Sequence, residues 1–67
     1  MNTSDMADTL RRQAQQFLFS DHPERIWFHR DALNVLADLE TTPATPGVIA
    51  HANGAIETYR KMLECSR

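Results

Sequence analysis

Histidine and cysteine are the residues of this chain best suited to chemistry, but their spacing indicates no catalytic site. His22, His29 and His51 are spread over a predicted helix break and two helices, and Cys65 is the only cysteine. His22 and His29 are seven residues apart, compatible with one side of a helix, yet no further Cys or His completes a zinc site. Two glycines provide no phosphate-binding loop. We therefore predict a protein that is not an enzyme and needs no metal or cofactor.

The aromatic residues are the second candidate group. Four of the five fall between Phe17 and Phe28, where one predicted helix ends and the next begins. Phe17 and Phe28 continue apolar stripes and are predicted core residues. Phe19 and Trp27 do not, and Trp27 shares its side of the second helix with polar residues. The sequence leaves open whether Trp27 packs over the first helix or faces solvent.

The predicted function is a non-enzymatic protein–protein interaction module, such as a small adaptor, an inhibitor or a chaperone-like subunit. Its partner is expected to be another protein, a second copy in a homodimer, or both. Tryptophan and arginine are enriched where binding energy concentrates, so we predict aromatic anchors with arginines at the rim. The predicted partner-binding residues are Phe19, Arg25, Trp27, Arg30 and Tyr59.

Length and composition limit the alternatives. A chain of 67 residues, 42% hydrophobic and 24% charged, is expected to form one globular domain, 1–67. A domain this short buries only about 60% of its unfolded surface, and docking on a partner adds burial. The net charge of −2 gives no general attraction to nucleic acid or anionic membranes. Without a recognisable secretory signal or membrane span, the expected location is the cytoplasm.

Three helices, at about 5–19, 22–39 and 46–65, are predicted to position these residues, with a proline-marked linker at 40–47. Apolar residues recur at helical spacing in each segment, and no segment alternates as a strand would. The predicted fold is an all-α three-helix array, a bundle or a hairpin of helices 2 and 3 with helix 1 packed across it. A homodimer is one assembly compatible with it.

Helix starts are predicted from capping residues. Thr3 or Ser4 is expected to cap the first helix. Asp21 and Glu24 resemble a capping box for the second helix, with Pro23 in its first turn.

The third helix is predicted to start at Pro46 with Thr45 as its cap. Asn53-Gly54 is a strong turn dipeptide, but the apolar stripe keeps its phase across it, which favours one uninterrupted helix.

Each predicted helix has an apolar face. In the first it comprises Leu10, Ala14, Phe17 and Leu18, with Met6 or Ala7 one turn earlier. The solvent side of that helix comprises Arg11, Arg12, Gln13, Gln15 and Gln16. In the second the apolar face is broad and comprises Ile26, Phe28, Ala32, Leu33, Val35, Leu36, Ala37 and Leu39. In the third it comprises Val48, Ile49, Ala52, Ala55, Ile56, Tyr59, Met62 and Leu63.

The alternative function is that of a small helical DNA-binding transcriptional regulator. The third helix carries Arg60 and Lys61 on its polar side, but Glu57 and Glu64 dilute their charge. The proline-marked linker is also longer than the tight turn of a helix-turn-helix. Nucleic acid is therefore the less favoured partner.

In size and helical make-up the chain is similar to the small co-chaperones of type III secretion needle subunits. Those proteins pair a linker marked by proline or glycine with a C-terminal amphipathic helix. The corresponding stretch here runs from Leu39 to Leu63 and includes Ala55-Ile56-Glu57. Small phage-encoded inhibitors of host proteins, which are also short, acidic and helical, are similar to the same degree.

Overall fold

The computed structural model describes residues 2–41, 43 and 45–65. Within these residues the chain forms three helices and no strand: α1, Thr3–Leu18; α2, Arg25–Thr41; and α3, Pro46–Cys65. The predicted all-α class is confirmed. The bounds of α3 agree with the prediction, whereas α1 begins earlier and α2 later than predicted; positions 42 and 44 of the predicted linker lie outside the described residues. None of the described helices combines the length and hydropathy needed to cross a membrane.

The early start of α1 is due to Asn2, which caps the helix in place of Thr3 or Ser4. The Asn2 side-chain oxygen accepts a hydrogen bond from the Asp5 N–H at 2.8 Å. Asparagine is among the best residues at a helix N-cap. Thr3 and Ser4 consequently lie inside the first turn, and the prediction that one of them caps α1 is wrong.

The start of α2 is organised by His22 rather than by the predicted capping box. The Glu24 N–H donates to Nδ1 of His22 at 3.1 Å, and the Arg25 N–H donates to the His22 carbonyl at 3.1 Å. Pro23 lies in the turn that precedes the helix. The capping-box prediction is wrong because Nδ1 of His22, and not the Asp21 side chain, accepts the hydrogen bond from the Glu24 N–H.

The start and continuity of α3 are as predicted. The Val48 N–H donates to Oγ1 of Thr45 at 3.3 Å, and Pro46 occupies the first helical position. The Asn53-Gly54 pair lies inside the helix without a positive φ angle. A Cβ atom added at Gly54 would meet no atom within 4 Å, so packing does not require glycine there.

The core lies where α1 packs against both α2 and α3, which confirms the predicted arrangement of helix 1. Its centre is formed by the fully buried side chains of Met6, Leu10 and Phe17. The other buried apolar residues come from all three helices: Ala7, Ala14, Ala32, Val35, Leu36, Leu39, Ala52, Ile56 and Tyr59. Contact is most extensive between α1 and α2 and least extensive between α2 and α3. The limited α2–α3 contact leaves space between those two helices.

The buried face of α2 is narrower than predicted. Ala32 and Leu36 are buried, but Ile26, Leu33 and Ala37 are exposed. The two neighbours of α2 cover one side of it, and residues on the far side of a helix then face solvent. The prediction that these three residues belong to the core is wrong for this reason.

Candidate functional site

Aromatic rings from all three helices meet where α1 ends and α2 begins. Phe17 stacks on Phe28 with ring centroids 5.3 Å apart, and Tyr59 meets Phe17 edge-on at 5.4 Å. His22 approaches Phe28 edge-on at 5.3 Å. Phe17 is fully buried and Phe28 packs partly buried against the core, which confirms their predicted roles. Trp27 contacts this cluster through the ring of Phe28.

Tyr59, which was predicted as a partner-binding residue, is buried in the core. It is 3% exposed, and its hydroxyl donates to the Asp31 carboxylate, which ties α3 to α2. Burial, and then the hydrogen bond and negative charge of Asp31, raise the pKa of the Tyr59 hydroxyl above its ordinary value. The ring lies on the same face of α3 as Ala52 and Ile56, so most of its surface packs into the core.

Trp27 and Arg30 lie together on the exposed side of α2. Trp27 is 58% exposed and contacts the ring of Phe28 edge-on at 4.8 Å. Both residues border one pocket that also includes Asp31. Arg25 lies two residues before Trp27, about 200° around the helix, and borders neither pocket that Trp27 lines. Trp27 therefore faces solvent, with Arg30 and not Arg25 beside it.

A groove of about 470 Å³ lies between α2 and α3, and we call it the Trp27 groove. It is lined from α2 by Trp27, Phe28, Asp31 and Val35, and from α3 by Ala50, His51, Gly54, Ala55, Thr58 and Tyr59. Ala50, Gly54 and Thr58 follow one another at intervals of four residues and so share one side of α3. The groove stays open because these small side chains do not fill the space that the limited α2–α3 contact leaves.

Phe19 lies on a different face, so the predicted binding residues do not form one surface. It is 84% exposed immediately after α1, where it borders a second groove of about 460 Å³ between the ends of α1 and α3. We call this the Phe19 groove. Its other lining residues are Gln13, Gln16, Ser20, Asp21, Arg60, Leu63 and Glu64. Trp27 does not border it, and Phe19 does not border the Trp27 groove.

Gln13 is the residue that the sequence interpretation missed. Predicted on the solvent side, it is 6% exposed, and its Nε2 donates to the Ile56 carbonyl of α3 at 3.0 Å. Its Oε1 atom is buried and accepts no hydrogen bond from any described residue. A signal was present, because Gln13 follows Leu10 by three residues and precedes Phe17 by four, the spacing of the core face.

The ionisable side chains form surface pairs rather than a reactive cluster. Arg60 contacts Glu57 at 2.7 Å and Glu64 at 3.1 Å, and its hydrogen bond and charge lower the pKa of Glu57. His29 donates from Nδ1 to the Ala14 carbonyl at 2.7 Å, so it belongs to the α1–α2 contact. Within the part of the chain that the structure describes, no three His, Cys, Asp or Glu side chains form a group able to hold a metal ion.

Comparison with known proteins adds no assignment. No protein-family model, curated protein or solved structure matches the chain.

Proposed function

We propose that this chain is a non-enzymatic protein-interaction module whose Trp27 groove receives an amphipathic helix of a partner protein. The observation that carries the proposal is the position of Trp27, more than half exposed at the rim of a largely apolar groove. Tryptophan contributes strongly to binding because a large ring leaves water at little cost in side-chain entropy. An adaptor, inhibitor or chaperone-like role in the cytoplasm, without a cofactor, accords with this mode of action.

The small side chains of α3 favour a helix as the occupant. Ala50, Gly54 and Thr58 line the groove over about 12 Å, at about 1.5 Å per residue, which matches about two turns of a partner helix. An amphipathic helix binds such a groove through apolar anchors three and four residues apart. The open space beside the Cα atom of Gly54, where a Cβ atom would meet nothing within 4 Å, can admit one of these anchors.

Arg30 favours an acidic partner. It borders Trp27 and forms no ion pair with any described residue. The Asp31 carboxylate in the same pocket accepts the hydrogen bond from Tyr59 instead. A glutamate or aspartate of the partner helix can therefore pair with Arg30 at the rim, which promotes specificity and fast association.

Fluorescence provides a direct test, because Trp27 is the only tryptophan of the chain. The protein is titrated with two designed amphipathic helices that share one apolar stripe and carry either glutamate or lysine at the polar positions. We expect the acidic helix to shift Trp27 emission to shorter wavelength. We also expect it to bind about tenfold more tightly than the basic helix, a difference of about 1.4 kcal/mol.

Variants separate groove binding from unspecific adsorption. Gly54→Leu fills the groove and should abolish the emission shift, whereas Arg30→Glu should reverse the charge preference. Phe19→Ala alters the other groove and should change neither result. If Gly54→Leu responds like the wild type, the proposed site is wrong.

Truncation of Trp27 measures its contribution to binding. Trp27→Ala should weaken association with a labelled acidic helix by about 2 kcal/mol or more while the protein remains helical. Loss of helicity with unchanged binding would instead assign Trp27 a structural role.

A second copy of the chain is the other occupant to test. Light scattering under reducing conditions is combined with Trp27 emission over a dilution series. A dimer whose emission moves to longer wavelength on dilution would assign the Trp27 groove to self-association. A monomer with constant emission would leave the groove to a different protein.

DNA binding, the alternative function, has less support from the charges. Arg60 is held between Glu57 and Glu64, and Arg11 is likewise paired with two acidic residues. Retention on duplex DNA that weakens with salt would favour this alternative, because phosphate contacts release counterions. Without such retention the interaction module stands.

A further inference from the structure

We infer that the Phe19 groove binds an arginine side chain presented by a protein segment. This groove lies apart from the Trp27 groove, and the inference does not depend on the function proposed for that groove. Gln13 lines the Phe19 groove, and its buried Oε1 receives no hydrogen bond from a described residue. A buried acceptor without a donor is destabilising, so an N–H supplied by a ligand is favoured at this point.

The other polar groups at the Phe19 groove favour a positively charged ligand. Two carboxylates, Asp21 and Glu64, line it against the single positive charge of Arg60. Arg60 donates to Glu57 at 2.7 Å and to Glu64 at 3.1 Å, which leaves it poorly suited to bind an anion. Asp21 forms no ion pair with any described residue. The hydroxyl of Ser20 already donates to a carbonyl of α1 at 2.7 Å.

Phe19 selects a planar cation. Its ring is almost fully exposed at the rim, and aromatic faces attract cations within about 6 Å of the ring centre. A guanidinium group is planar, stacks on aromatic rings and presents five N–H donors in a fixed arrangement. One arginine can thus cover Phe19 while donating to Asp21 and to Gln13. A lysine ammonium lacks the planar face for stacking.

Binding requires movement at the edge of the groove, because Oε1 of Gln13 is screened from solvent in the unbound chain. Arg60 and Glu64 line this edge with side chains that are at least half exposed. Exposed ion pairs of this kind contribute little stability. The inference requires that these side chains move aside, so that a ligand N–H reaches Gln13 after its first contact with Asp21.

The test is an NMR titration of the full chain with N-acetyl-arginine methylamide. N-acetyl-citrulline methylamide, which has nearly the same shape but no charge, is the matched probe. We expect the arginine probe to shift the side-chain amide resonances of Gln13 saturably at about millimolar concentration, and to bind about tenfold more tightly than citrulline.

Two variants test the contacts. Gln13→Met and Asp21→Asn should each weaken binding of the arginine probe by about fivefold or more. Asp21 is exposed, so its variant remains informative if Gln13→Met alters the fold. Trp27→Ala is the control and should bind as the wild type does. Equal shifts with both probes, an unresponsive Gln13 amide, or wild-type binding by both variants would overturn the inference.

Discussion

Replacement of Gln13 by methionine should stabilise the isolated chain, even though it removes a hydrogen bond between α1 and α3. Gln13 is buried, and its Nε2 donates to the Ile56 carbonyl at 3.0 Å. Methionine has a similar length and a flexible apolar side chain, so it can occupy the same space without overpacking. The substitution exchanges a buried amide for apolar atoms.

Two opposing contributions set the size of this effect. Removal of the buried Oε1, which has no donor among the described residues, should gain about 1–3 kcal/mol. Loss of the Nε2 hydrogen bond should cost about 0.5–1.5 kcal/mol. The Ile56 carbonyl lies within α3 and keeps its helical hydrogen bond. The net expectation is about 1 kcal/mol of added stability, which raises Tm by about 4–8 °C in a domain of this size.

Thermal and urea denaturation followed by far-ultraviolet circular dichroism measure this change. Gln15→Met is the matched control, because Gln15 is exposed on the same helix and its replacement should alter Tm little. An unchanged or lower Tm for Gln13→Met would show that the bond to Ile56 outweighs the unpaired oxygen. The unpaired Oε1 would then carry no net cost in the isolated chain, and the main support for an arginine site would be lost.

Three further changes test other parts of the fold. Gly54→Ala should add about 1 kcal/mol in urea denaturation, because alanine favours helix and its Cβ meets no atom within 4 Å. Tyr59→Phe should cost about 1.5–3 kcal/mol at neutral pH through loss of the bond to Asp31. Folding raises the pKa of Tyr59, so the protonated hydroxyl contributes fully to the stability of the fold below the ordinary pKa of 10.0, and this contribution declines as the pH rises above that value. In an alkaline titration, phenolate absorbance should therefore rise together with loss of helicity. His22→Ala should cost about 1 kcal/mol by removing the acceptor for the Glu24 N–H, whereas His22→Asn should retain most of the stability. Equal Tm values for the two variants would contradict the role of His22 as the cap of α2.

Local sequence was sufficient to predict that there are three helices, where α3 begins and ends, and part of the core. Apolar spacing and the Thr45-Pro46 start predicted α3 correctly, because periodicity and capping act over one or two turns of the same segment. The first turns of α1 and α2 were harder to predict. There Asn2 and His22 compete with neighbouring acceptors for the same free N–H groups, and small differences in geometry determine which one binds.

The surfaces, in contrast, depended on how the helices pack. A helical sequence shows which residues share a side but not which side a neighbouring helix covers. α1 occupies the space between its two neighbours and brings Gln13 against the Ile56 carbonyl, so an amide that resembles a solvent residue is buried. Tyr59 is covered by the same core, whereas the limited contact between α2 and α3 leaves Trp27 uncovered beside an open groove. Whether an aromatic residue is exposed thus depends on how closely the neighbouring helix packs against it, and the sequence of one helix does not determine that distance.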